Sequence, residues 1–201
     1  MMQAKRNYFN DLAPRWDNIP RAPDAGDRIA AFCRRSLAAG ARRVLDVGAG
    51  TGLLAPHLFE AGPLALLVEV DYAPGMLRVS RSKSPDGRRR FVCADALRMP
   101  FQPAAFDAVL CFGILPHLGD AVAALTALWR AVAPGGRLSI GHLMGSAELN
   151  ARHREIGGPV AADTLLPAER VASFLEALGA ARTEAQDRPD GYFVLAERGG
   201  R

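Results

Sequence analysis

The chain has 201 residues, 49% of them hydrophobic, which suits a single domain with a packed core. No apolar stretch reaches the roughly 18 residues that a membrane span needs, and the N-terminus lacks the apolar core of a secretory signal. These properties exclude an integral membrane protein and predict a cytoplasmic one. The net charge of +4 reflects 25 basic and 21 acidic residues.

The cysteines indicate neither a disulfide framework nor a metal site. Cys33, Cys93 and Cys111 are widely spaced, odd in number and free of any CxxC or Cys/His pattern. We expect three reduced thiols, buried as small hydrophobic side chains. No metal is expected.

The densest basic cluster is a candidate for phosphate contact. It surrounds a Ser-Pro-Asp-Gly turn between a predicted helix and a predicted strand. Charged residues at such a connection more often form a solvated surface, so we expect no nucleic-acid partner. The cluster consists of Arg81, Lys83, Arg88, Arg89 and Arg90.

Taken in chain order, short apolar runs alternate with segments whose apolar residues recur every three to four positions. The repetition of strand and helix predicts a parallel sheet covered on both faces. Pro134-Gly135-Gly136 is expected to end the last of the first four helices. The predicted strands are 44–47, 64–70, 91–93, 106–112 and 137–142, and the predicted helices are 24–38, 53–61, 74–82 and 120–132.

Beyond position 143 the pattern changes. A polar segment extends to about position 164 and is followed by helical spacing over 167–178. The runs 182–188 and 192–197 flank Pro189-Asp190-Gly191, which has the residues of a tight reversal. The chain therefore ends in a predicted hairpin.

The strongest motif is an apolar strand that ends in an acidic residue and alternating glycines, VLDVGAGTG over 44–52. Such glycines allow a tight turn and let a ligand approach backbone amides at a helix N-terminus. The dinucleotide fingerprint GxGxxG would need glycine at position 53, where this chain has Leu53. The spacing favours a nucleotide-like ligand other than NAD, with a purely structural turn as the alternative.

Two further carboxylates follow strands at the same expected edge. Asp71 ends the second strand about 20 residues after Gly52, where an acidic side chain reaches ribose hydroxyls, although it is also suited to cap the next helix. Asp95 follows the third strand and is suited to accept the adenine amino group. The backbone amide of Ala96 or Leu97 would then donate to a ring nitrogen.

Together, these segments resemble the small-molecule class I S-adenosylmethionine-dependent methyltransferases over about residues 41–142. The resemblance implies an α/β fold: a Rossmann-like doubly wound sheet of seven mostly parallel strands, with a C-terminal antiparallel hairpin and helices on both faces. The matching segments are LDVGAGTG, VEVDYAPGML, FVCADALRMPF, FDAVLCFGILPHL and LWRAVAPGGRLSI.

The resemblance also implies one domain over 1–201 with four parts. They are an N-terminal helical lid (1–40), a cofactor-binding core (41–142), an acceptor-site insert (143–166) and a final helix and hairpin (167–201).

Roles in cofactor binding follow from the same resemblance. It implies that Asp46 faces the methionine portion of S-adenosylmethionine, Asp71 the ribose and Asp95 the adenine. The glycine loop that also faces the methionine portion consists of Gly48, Ala49, Gly50 and Gly52.

Four more side chains are implied to enclose the cofactor. Tyr72 and Met76 would pack against the adenine, with core packing as the alternative. Cys111 and Phe112 would close over the sulfonium end with backbone and side chain.

The N-terminal pairs Tyr8-Phe9 and Trp16-Asp17 resemble the aromatic pairs that open many quinone-type methyltransferases, where the leading helix covers the cofactor. Tyr8 and Trp16 are therefore candidate cofactor contacts. An amphipathic helix packed on the sheet explains the same aromatic residues.

Three histidines are candidates for acceptor binding or for a general base, because the pKa of histidine lies near neutrality. His117 and His142 follow the fourth and fifth strands, and His153 lies in the polar segment. Helical spacing places Asn150 and His153 on one face, unless the segment is a solvated helix. The segment also contains Glu148, Glu155 and Asp163.

The sequence thus predicts methyl transfer from S-adenosylmethionine to a small-molecule acceptor, with S-adenosylhomocysteine as product, by a monomer or homodimer. A non-catalytic sensor or partner subunit and a nicotinamide oxidoreductase are alternatives. An RNA methyltransferase is less expected, because CFGILPH stands where an Asn/Asp-Pro-Pro-aromatic motif would lie.

Overall fold

In the computed structural model, which describes residues 2–83 and 85–200, seven strands form one sheet in the order β3-β2-β1-β4-β5-β7-β6. The first five strands pair in parallel, and the last two form an antiparallel hairpin whose second strand joins β5. This confirms the predicted Rossmann-like sheet. The strands are β1 (Arg43–Val47), β2 (Leu66–Asp71), β3 (Arg89–Cys93), β4 (Phe106–Phe112), β5 (Val132–His142), β6 (Ala180–Arg188) and β7 (Gly191–Arg198).

Helices cover both faces because successive strand residues point to opposite sides. Val44 packs with the second and third helices, whereas its neighbour Leu45 packs with the fifth and seventh. No helix among residues 2–83 and 85–200 is long and apolar enough to cross a membrane. The helices are α1 (Met2–Leu12), α2 (Ala25–Ser36), α3 (Ala55–Ala61), α4 (Pro74–Lys83), α5 (Ala121–Ala131), α6 (Ser146–Ile156) and α7 (Ala168–Ala177).

The fifth strand is longer than the sequence predicts. It begins at Val132 rather than position 137, so Pro134-Gly135-Gly136 lies inside the strand instead of between helix and strand. Its register against β4 shifts between Phe106 and Ala108, and Gly135 has a positive φ of 74°. Where the sequence suggested a loop, the structure therefore has a β-bulge in which Gly135 adopts the left-handed conformation.

The carboxyl ends of the parallel strands meet at one edge of the sheet, and α1 lies across this edge. Phe9 of α1 is buried in a small apolar cluster with Ala73, Met76 and Val160. The Asn10 side chain also accepts a hydrogen bond of 2.7 Å from the backbone amide of Gly75, at the start of α4. The N-terminal helix thus covers the edge where open α/β sheets bind ligands.

Candidate functional site

The glycine loop after β1 is held in a conformation that favours glycine. Gly48, Gly50 and Gly52 have φ values of 70°, 54° and 79°. A Cβ on Gly48 would lie 2.5 Å from Cγ1 of Ile114, and one on Gly52 would overlap the Ser80 hydroxyl. The loop is therefore fitted closely to its surroundings.

Asp46 is fully buried beneath this loop, and its Oδ2 atom has no hydrogen-bond partner among the described residues. Burial raises the pKa of the carboxyl well above its ordinary value, and nearby Glu69 and Asp71 raise it further. A buried carboxylate without a partner is costly. A cationic ligand group, such as the ammonium of an amino acid, would supply the missing partner.

Asp71 lies at the end of β2 and organises the loop. Its Oδ2 accepts a hydrogen bond of 2.9 Å from the Gly50 amide, and its Oδ1 accepts one of 2.8 Å from Ala73. Burial raises the pKa of Asp71, while these amide bonds lower it. Each oxygen retains capacity for another donor, so the turn before α4 and a ligand diol can share this carboxylate.

Asp95 follows β3 and opens a 3-10 turn, Ala96–Arg98. Its Oδ1 accepts a hydrogen bond of 3.0 Å from the Leu97 amide, so that amide already has a partner. The first amide of a helical turn lacks a partner within the turn, which makes Ala96 the better-placed donor to a ligand.

The aromatic residues near the N-terminus surround Phe9. The rings of Tyr8 and Trp16 lie edge-on to Phe9 at centroid distances of 5.3 and 5.9 Å, and both are half-buried. Met76 is buried in the same cluster, as the core-packing alternative proposes. The buried hydroxyl of Tyr72 has no hydrogen-bond partner among the described residues.

Two of the predicted cofactor contacts lie at the end of β4. The Cys111 thiol is buried in the core, and burial raises its pKa. Cys33 is buried as well, but Cys93 is exposed, so the expectation of three buried thiols is wrong for Cys93. Phe112 packs on Phe32 of α2, with ring centroids 4.9 Å apart. The side chain that lies against the glycine loop is that of Ile114, which follows the end of β4, whereas Phe112 faces α2.

His117 lies one 3-10 turn beyond Ile114 and is paired with Asp163. The distance from His117 Nδ1 to Asp163 Oδ2 is 2.7 Å. The other oxygen of Asp163 forms a buried ion pair with Lys5 of α1. Because a carboxylate only accepts, Nδ1 of His117 carries the donated hydrogen and Nε2 of the neutral ring is left with a lone pair. We call Lys5, His117 and Asp163 the helix cluster.

His153 and Asn150 share a face of α6, as predicted, and both hold the backbone that follows. His153 Nδ1 donates to the Asp163 carbonyl at 2.9 Å, and Asn150 forms two hydrogen bonds with the backbone of Leu165. Burial lowers the pKa of His153. Glu148 and Glu155 are exposed, so of these residues His153 is the one that binds the Asp163 backbone.

His142 ends β5 and has a fixed hydrogen-bonding role. The Met144 amide donates to its Nδ1 at 2.9 Å, so the neutral ring carries its proton on Nε2. Burial lowers the pKa of His142 to about 4. With one nitrogen occupied and the other protonated, this ring is a donor and not a proton acceptor.

Two arginines of the basic cluster around the Ser-Pro-Asp-Gly turn form ion pairs within the protein. Arg89 points inward, where its guanidinium binds buried Glu69 at 2.8 Å and Ser80 at 2.6 Å; we call these three residues the strand cluster. Arg88 pairs with Asp86. Ser84 of the turn lies outside the described residues.

Sequence reasoning missed the contacts that attach the N-terminal segment to the site. Asp17 accepts a hydrogen bond of 2.7 Å from the Thr51 hydroxyl of the glycine loop and pairs with Lys83 at 2.6 Å. The acidic member of the pair Trp16-Asp17 is the sequence signal for this contact. Among the described residues, no group of three or more His, Cys, Asp or Glu side chains is arranged to hold a metal ion.

The fold and this edge define a class of α/β proteins that bind a nucleotide-like cofactor beside a glycine loop. The family model described as a methyltransferase domain matches residues 45–140. A demethylmenaquinone methyltransferase of Deinococcus radiodurans is 40% identical over 68% of this chain and 58% of its own length. One from Paenarthrobacter aurescens is 30% identical over 94% of this chain and 68% of its own length.

An O-methyltransferase family protein from Burkholderia thailandensis has a similar structure, with a TM-score of 0.72 and 19% identity over 97% of this chain and 60% of that one. The chain therefore belongs to the class I S-adenosylmethionine-dependent methyltransferase family. It spans less than two thirds of the length of the Deinococcus relative.

Proposed function

We propose that the protein transfers the methyl group of S-adenosylmethionine to a small-molecule acceptor at the covered edge of the sheet. When bound, S-adenosylmethionine supplies an activated methyl group on a cationic sulfur. The observation that carries the proposal is Asp46, a buried carboxylate with a partnerless oxygen directly beneath the glycine loop.

Different residues bind different parts of the cofactor. Asp46 binds the ammonium group, Asp71 the ribose hydroxyls, and Asp95 with the Ala96 amide the adenine. The apolar cluster around Phe9 excludes water, which strengthens each polar contact at the edge.

His117 is the proposed proton acceptor. Its Nε2 lone pair is available, and Asp163 stabilises the imidazolium that forms when Nε2 takes a proton from the acceptor. His153 has only a backbone carbonyl behind Nδ1, and His142 is a fixed donor. Of the three predicted histidines, His117 therefore has the environment that general-base catalysis requires.

The relatives point to a ring acceptor. Their name, demethylmenaquinone methyltransferase, describes a quinone-type substrate. We extend to this chain an aromatic acceptor with a ring hydroxyl, whose deprotonation by His117 would raise the nucleophilicity of the hydroxyl oxygen and the adjacent ring carbon.

The test measures S-adenosylhomocysteine release from S-adenosylmethionine with a panel of hydroxylated naphthalenes and benzenes. His117→Ala is expected to lower kcat about 100-fold or more, because proton transfer by a positioned side chain contributes about 10² to 10⁴ in rate. Its affinity for S-adenosylhomocysteine should stay within about twofold of the parent, since His117 belongs to the acceptor side.

His57→Ala is the matched control, because His57 is a half-buried histidine of α3 without a role in the site. It should retain parental kcat. Full turnover by His117→Ala would disprove the proton-acceptor role, and cofactor binding without release on any acceptor would favour a non-catalytic module.

A further inference from the structure

A cavity lies between α2 and the start of β7. It has a volume of about 250 Å³. Its apolar part consists of Phe32, Phe112 and Phe193, with centroid distances from Phe32 of 4.9 and 6.0 Å. Gly141 allows this packing, because a Cβ there would lie 2.6 Å from the Phe32 ring. We call this cavity the arginine cleft.

The charged lining of the cleft is mainly basic. It contains three guanidinium groups, on Arg28, Arg35 and Arg188, against the single carboxylate of Asp190. Arg28 donates to the backbone carbonyls of Leu143 and Asp190, and its guanidinium also lies 3.7 Å from the exposed carboxylate of Asp24.

The other two guanidinium groups differ in their partners. Arg35 lies over the Phe193 ring at 3.8 Å and pairs with Glu184 at 2.5 Å. Arg188 is exposed, and its guanidinium has no hydrogen bond or ion pair with the described residues. A planar guanidinium binds a carboxylate through two parallel hydrogen bonds, so Arg188 is available for an anionic ligand.

His142 lines the cleft at the end of β5. Burial disfavours the positive form of its ring, and so do the nearby His117 and His153. Because its Nδ1 accepts the Met144 amide, its Nε2 is a fixed hydrogen-bond donor. A ring oxygen in the cleft would therefore meet a donor at the end of β5.

We propose that the arginine cleft binds the methyl acceptor, and that the acceptor is an aromatic carboxylate. This inference rests on the proposed function. The phenyl rings bind the aromatic ring, Arg188 binds the carboxylate, and His142 donates to a ring oxygen. The volume suits one or two fused rings.

The test compares two probes that differ only in the carboxylate, 1-hydroxy-2-naphthoate and 1-naphthol. Both are titrated calorimetrically into the full chain with saturating S-adenosylhomocysteine, whose own binding is measured first. The parent should bind 1-hydroxy-2-naphthoate at least about tenfold more tightly than 1-naphthol, and this preference should fall with rising salt.

Arg188→Gln should remove most of the preference, weakening the carboxylate probe about tenfold and leaving 1-naphthol unchanged. Arg182→Gln is the control, because Arg182 is an exposed arginine of the same strand that does not line the cleft. It should bind both probes like the parent.

Equal affinities for the two probes, or an unchanged preference in Arg188→Gln, would overturn the cleft assignment while S-adenosylhomocysteine binding upholds the proposed function. Failure of S-adenosylhomocysteine itself to bind would overturn both.

Discussion

Two buried ion-pair clusters serve this fold in different ways. In the strand cluster, Glu69 and Arg89 lie on neighbouring strands, and their side chains are 0% and 2% exposed. In the helix cluster, Lys5 and Asp163 come from segments 158 positions apart, and the attached His117 side chain remains 12% exposed. The strand cluster lies against Gly52 of the glycine loop, whereas the helix cluster contains the histidine that we propose as proton acceptor.

Disruption of the strand cluster should lower the free energy of unfolding more than any other substitution proposed here. Arg89→Met leaves Glu69 buried without its cation, and removal of one partner of a buried pair costs about 3–5 kcal/mol. Urea denaturation monitored by circular dichroism measures this loss. Arg90→Met, at the exposed neighbouring position, should change the free energy of unfolding by less than about 0.5 kcal/mol.

Disruption of the helix cluster should lower the turnover rate. Asp163→Asn keeps the shape but removes the charge that stabilises protonated His117, so kcat should fall about 10- to 100-fold. Asp187→Asn is the comparison, because Asp187 accepts hydrogen bonds from the Ser146 amide and hydroxyl away from the proposed proton transfer. If both variants lose stability but only Asp163→Asn lowers kcat, the helix cluster has a role in turnover beyond stability. Equal losses of kcat in both variants would contradict that role.

Two residues that cap helical turns test whether Asp95 binds the adenine. Asp95 and Asp120 each accept a backbone amide at 3.0 Å at the start of a helical turn, from Leu97 and Ala123. Replacement of either by Ala should cost about 1 kcal/mol of stability. Only Asp95→Ala should also weaken S-adenosylhomocysteine binding, by about tenfold, as measured by calorimetry. The same weakening in Asp120→Ala would refute the adenine role.

The smallest expected effect concerns Asp46 and depends on pH. A carboxyl whose pKa is raised on folding stabilises the fold below its ordinary pKa of about 3.9, and this contribution is lost as pH rises through the raised value. Asp46→Asn should therefore stabilise the ligand-free protein by about 1 kcal/mol at pH 8, and by progressively less towards pH 4.

Asp107→Asn should show the opposite sign. Burial raises the pKa of Asp107, but hydrogen bonds from Arg42 and Arg43 outweigh burial and hold the pKa below its ordinary value. The charged form therefore stabilises the fold at pH 8, and its loss destabilises. Thermal melts at pH 5 and pH 8 compare the two variants. Destabilisation by Asp46→Asn at pH 8 would contradict the conclusion that the buried Asp46 carboxylate lacks a partner.

The position of the three carboxylates proposed to bind the cofactor could be predicted, because each lies within a few residues of a strand end. Asp46 is the penultimate residue of β1, Asp71 ends β2 and Asp95 follows β3. Local motifs and parallel pairing therefore place the three carboxylates at one edge. The fold followed from the same alternation of strands and helices.

The helix cluster left no such local signal. Lys5 meets Asp163 across 158 positions, and His117 meets Asp163 across 46, so spacing along the chain carries no trace of either contact. Arg89 was predictable in principle, because a period of two in β3 turns it inward between exposed Arg88 and Arg90. Because Arg88, Arg89 and Arg90 are all arginines, the sequence shows no alternation of polar and apolar residues there.

The most direct test of the central claim is a calorimetric titration of the full chain with S-adenosylhomocysteine and, in parallel, NAD. The Asp46, Asp71 and Asp95 edge predicts saturable binding of S-adenosylhomocysteine at one site per chain and no heat of binding from NAD. Binding of NAD alone would contradict the assignment of this edge to S-adenosylmethionine.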